Sequence, residues 1–181
     1  SGADGLTLSS TDITIASGDL LFATSAKGPV IGATSNTAAN TLDDYEEGTF
    51  TPTLTSEGSN AISVGYAGTP GSQYTVGTYT KVGNTVHFQI TIDVDSYSGG
   101  SSDSLLIGQM PFTSSSYITT SNGGGPVIYN SGHNTNPYSG IILGSQTNIR
   151  LYRGGGDTAM QTNDFTANSY VQIAGSYKTD S

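Results

Sequence analysis

The chain has 181 residues, room for one domain and an accessory segment. Fourteen acidic against five basic side chains leave a formal charge of -9, which excludes nucleic acid as a natural partner, because a phosphate backbone calls for clustered Lys or Arg. Leu, Ile, Val and Phe make up about a fifth of the residues, cysteine is absent, and no apolar run is long enough for a membrane span, so neither a disulfide-stapled core nor membrane insertion is expected.

Residues 1–42 carry three short apolar pieces, Leu6 to Leu8, Ile13 to Ile15 and Leu20 to Phe22, about seven residues apart. They read either as the first strands of a sandwich or as rungs of a fibre shaft, in which identical chains wrap and bury one another's small apolar faces. The shaft is favoured, because each piece is too thin for a private core. A polar linker, Ser35 to Thr41, follows. Asp43, Asp44, Glu46 and Glu47 then surround Tyr45. This run lacks the alternate ligands and Gly turn of a calcium loop, so it reads as solvated charge, an acidic collar if repeated about an axis.

From Gly48 the pattern is that of strands. Candidates are Thr49 to Thr55, Ala61 to Tyr66, Tyr74 to Val82, Thr85 to Val94, Ser104 to Met110, Pro126 to Asn130, Gly140 to Gly144, Asn148 to Arg153 and Tyr170 to Lys178. The clearest alternation is Val86, Phe88, Ile90, Ile92, Val94 against Thr85, His87, Gln89, Thr91, Asp93, preceded by the hairpin signal Gly83-Asn84. Pro52 inside the first candidate marks a sheet edge or a bulge. The expected fold is all-β: a short intertwined trimeric β-shaft over 1–42, then an antiparallel β-sandwich, jelly-roll-like, over 43–181.

Four segments in order, LDDYEEGTFTPTL, YTVGTYTKVGNTVHFQITI, LLIGQMPF and a terminal GSYKT, resemble a C-terminal module common in tail-fibre and other virion proteins of bacteriophages, especially marine ones. The stretch ITIASGDLLFATSAKGPVIGATSN resembles the shaft repeat that often precedes it. The resemblance implies a homotrimeric fibre with a β-rich tip on the tail or head of a virion, outside the cell. Other virion proteins and a host receptor or surface glycan are the implied partners. A non-viral filament subunit or adhesin is the alternative, and a polysaccharide-cleaving tailspike the third.

Chemistry is sparse. His87 falls on the polar face of its strand, and His133 in a loop has no second His or Cys beside it, so neither a zinc site nor any other metal or cofactor is expected. No nucleophile elbow appears. Asp93 and Asp95 share a strand face on regular alternation, about 6–7 Å apart, within reach of a glycosidase pair. Two acids on an exposed hairpin read better as solubilising charge, and the chain is expected not to be an enzyme. Sugar binding fits better, since aromatic faces cover C–H surfaces while Asn and backbone groups read hydroxyls. Eleven Tyr are available. The loop Ser121 to Gly140 is the first choice for recognition, with Tyr129, His133, Asn134, Asn136, Tyr138, Tyr152 and Arg153 as the glycan or receptor site.

Overall fold

The computed structural model describes residues 45–68, 74–117, 121–154 and 158–180. The shaft expected over 1–42, and Asp43 and Asp44 of the acidic run, lie outside these. The described residues are all-β and antiparallel. In chain order the strands are β1 Tyr45–Phe50, β2 Thr53–Ser56, β3 Ile62–Tyr66, β4 Val76–Val82, β5 Thr85–Gly99 and β6 Leu105–Gly108. β7 Gly123–Ser131, β8 Pro137–Ile142, β9 Ile149–Arg153, β10 Thr158–Ala159 and β11 Ser169–Lys178 complete the set.

The sheet runs β1-β4-β5-β11-β7-β8-β9-β6-β2, with β3 added beside β5 and β10 beside β9. β1 and β2 stand at opposite ends of this path, yet only Thr51 and Pro52 join them. Laid flat, the path would measure roughly 38 Å at the usual strand spacing. A two-residue link reaches only about 10 Å. The sheet therefore curls until its ends meet, giving a sandwich-like domain from one continuous sheet. Leu54 N of β2 donates to the Tyr66 hydroxyl of β3 at 2.6 Å, a bond across the seam.

Pro52 explains the break in the first predicted strand. It has no N–H to continue the ladder, and the chain leaves one sheet end there for the other. The acidic run is not a free loop: Tyr45, Glu46 and Glu47 form the start of the edge strand β1, exposed, with the Tyr79 hydroxyl donating to Glu46 at 2.5 Å.

The alternation of β5 sets the core. Val86, Phe88, Ile90, Ile92 and Val94 point inward and are buried. They meet Val171, Ile173 and Tyr177 of β11 and, across the curl, Ile107, Ile149, Leu151, Met160 and Phe165. Each such side chain contributes about 1.5–3 kcal/mol of burial. The β4–β5 turn at Gly83 has φ 56°, the left-handed value its Gly-Asn signal implies. At β7 the sheet closes through missing side chains: a Cβ on Gly125 would lie 1.8 Å from the Ala174 carbonyl oxygen.

Candidate functional site

The predicted recognition loop Ser121 to Gly140 is mostly strand. β7 and β8 form a hairpin whose connection is only Gly132 to Asn136. Glycines at such positions commonly supply loop freedom. Gly123, Gly124 and Gly125 instead lie inside β7, paired with Ile142, Ile141 and Gly140 of β8.

The short connection is held by a buried carboxylate. Asp164, on the 3-10 turn Thr162–Asp164, accepts from Arg153 Nη1 at 2.5 Å, Thr135 Oγ1 at 3.2 Å and Gln161 N at 2.8 Å. Its backbone carbonyl accepts from Asn134 N at 3.0 Å. The Asn134 side chain donates to the Asn163 carbonyl at 3.3 Å. His133 packs on Phe165, ring centroids 4.5 Å apart, and its Nε2 stands 3.0 Å from the Tyr170 carbonyl. A carbonyl only accepts, so Nε2 carries the proton. Burial lowers the His133 pKa, keeping the ring neutral. Of the predicted site residues, His133, Asn134 and Arg153 thus brace the hairpin.

Tyr129, Asn136 and Tyr138 face solvent, and Tyr152 is half-buried. Two bulges account for the exposure around them. Between β7 and β11 the register passes from Tyr129↔Gln172 to Val127↔Ile173, so Ile128 is an extra residue. Between β8 and β9 it passes from Pro137↔Arg153 to Ser139↔Tyr152, so Tyr138 is another. A bulged residue leaves the ladder and swings outward. Ile128 is 57% exposed and Tyr138 64%.

Pairing carries the outer face further. Tyr129 pairs with Gln172, whose neighbour on β5 is Thr91, and Tyr170 pairs with Asp93. Directly paired antiparallel residues share a face. Tyr129, Tyr170, Gln172 and Asp93 therefore lie together on the outer face of the curled sheet. The Tyr129 and Tyr170 rings meet edge to face, centroids 5.5 Å apart at 67°. Tyr170, Gln172 and Asp93 were not among the predicted site residues. Their strand alternation was legible, but the strand order that unites them was not.

The carboxylate pair changes too. β3 pairs Gly65 with Ser96 and Tyr66 with Val94, leaving Asp95 as a bulge on β5. The regular two-residue spacing assumed for Asp93 and Asp95 is broken there. Among the described residues no group of three or more His, Asp or Glu could hold a metal ion. What the surface can do chemically is cover an apolar ring face with Tyr129 and Tyr170 and hydrogen-bond hydroxyls through Asp93 and Gln172.

No family model and no curated protein matches the chain. Among solved structures, the fold is similar to part of the Dettilon tailspike protein (gp208), with a TM-score of 0.56 and 23% identity. The match covers 74% of this chain and 24% of that one, so the chain spans about a quarter of that tailspike's length. At this identity the likeness establishes a shared fold. It also corrects one expectation: a chain that shares its fold with part of a tailspike is not set down as a non-enzyme.

Proposed function

We propose that the chain is a shaft-plus-tip part of a bacteriophage tail spike or fibre that engages a surface glycan of the host, to bind it or to cleave it. The observation that carries this reading is the pair of exposed Tyr129 and half-buried Tyr170, set beside Asp93 and Gln172 on the outer face of a fold shared with part of a tailspike. Residues 1–42 form the trimeric shaft, residues 43–181 the tip, and the working location is the virion exterior. Of the seven residues first singled out, Tyr129, Asn136, Tyr138 and Tyr152 make contact, while His133, Asn134 and Arg153 hold the hairpin in shape. Three weak sites on one axis gain avidity without any new contact.

The test is to incubate the purified chain with host surface polysaccharide and to follow both the retained polymer and the oligosaccharide released. Retention or release that falls with Tyr138→Ala supports the proposal. Neither retention nor release at any concentration up to the millimolar range overturns it.

A further inference from the structure

Charge on the outer face deepens that proposal and rests on it. The described residues include four cations besides histidine: Lys81, Lys178, Arg150 and Arg153. Arg153 is committed to the buried Asp164 and Arg150 to Glu57. Lys178 bonds Asn84 and Thr85 at the far end of β11, eight residues from Tyr170 and so roughly 26 Å away. Lys81 is buried, its Nζ 5.7 Å from the Phe112 ring centroid. Asp93, by contrast, stands directly across from Tyr170 on the same face, with the exposed Asp95 just beyond. The chain as a whole carries -9.

From this arrangement we infer that the Tyr129–Tyr170 face takes a neutral glycan, or one bearing an amino sugar, and rejects polymers of uronic or sialic acids. An aromatic pair gains from any pyranose with an apolar C–H face, charged or not, so it does not discriminate by itself. The discrimination comes from Asp93. A ligand carboxylate seated over Tyr170 sits within a few ångströms of that like charge and finds no available guanidinium to answer it, whereas sugar hydroxyls donate to the Asp93 carboxylate.

The experiment is a panel of neutral, amino-sugar and uronic- or sialic-acid oligosaccharides of matched length, probed at low salt with the full chain and with Tyr129→Ala, Tyr170→Ala and Asp93→Asn. Binding to neutral or amino-sugar members, lost in both Tyr variants, is expected. Asp93→Asn is expected to raise the acidic members by about fivefold relative to the neutral ones, an effect that fades at high salt. Tyr-dependent binding that prefers acidic members overturns this inference and leaves the glycan function standing. Binding to no member, or binding indifferent to both Tyr variants, overturns both.

Discussion

The two halves of the sheet are built by different rules. In β4, β5 and β11 the register runs without a break from Val76↔Thr91 to Val82↔Thr85 and from Ser169↔Val94 to Lys178↔Thr85. Side chains there obey strict alternation, and the inner set is the core. In β7, β8 and β9 the register slips twice, and glycines replace side chains where strands approach. The first half specifies the fold through what it buries. The second, resting on the first, uses its slips to turn Ile128 and Tyr138 outward. A sheet that was regular throughout would have kept Ile128 and Tyr138 in the ladder, while Tyr129 and Tyr170 owe their common face to direct pairing with β11 and β5.

Disturbing each half in turn sharpens this contrast. The largest effect is expected where the halves join. Gly125→Val places a Cβ against the Ala174 carbonyl, a backbone atom that cannot rotate away. Chemical denaturation is expected to show a loss of about 3 kcal/mol or more, or no folded protein. Ile90→Ala, at a fully buried position of the regular half, is expected to cost about 2–5 kcal/mol with a single cooperative transition.

Asp164→Ala strikes only the second half. It removes acceptors from Arg153, Thr135 and Gln161 and strands a half-buried guanidinium. A cost of about 2–3 kcal/mol is expected. Hydrogen exchange locates it: the Gln161 and Asn134 amides should lose protection while those of β5 and β11 keep theirs. Equal loss in both halves would mean that they do not differ in this way.

The pH dependence is smaller. Burial depresses the folded pKa of His133, so between that value and the ordinary value near 6.5 the unfolded chain binds the extra proton. Stability contributed by the neutral ring is complete above about pH 6.5 and is lost as pH falls through that window. Replacing His133 with Gln should flatten the slope there in a series of denaturation midpoints. Hydrogen bonds lower the Asp103 and Asp180 pKa values, so their contributions fade only below the ordinary carboxylate range. Tyr138→Ala should be smallest, within about 0.5 kcal/mol of the parent, because the ring is mostly solvated.

The same contrast explains how much could be read from residues alone. β5 was legible because five inward apolar residues alternate with polar ones; only its extension to Gly99, past the bulge at Asp95, was missed. β11 was placed nearly to its ends. The tract Gly123 to Gly125 read as loop, because a strand whose side chains are replaced by close backbone contact leaves no hydrophobic period to detect. β10, two residues long, carries no signal at all. Tyr129 and Tyr138 could be picked out for their turn-rich surroundings, but Tyr170 and Asp93 join them only through the order β5-β11-β7, which no local pattern encodes.

The most direct test of the central claim is an amide chemical-shift map of the isotopically labelled chain titrated with the host glycan it retains. Perturbations centred on Tyr129, Ser131, Tyr170, Gln172 and Asp93 are predicted, with β4 and β6 unmoved. Perturbations centred on β4, β6 or the β1 edge, with Tyr129 and Tyr170 silent, would contradict the account.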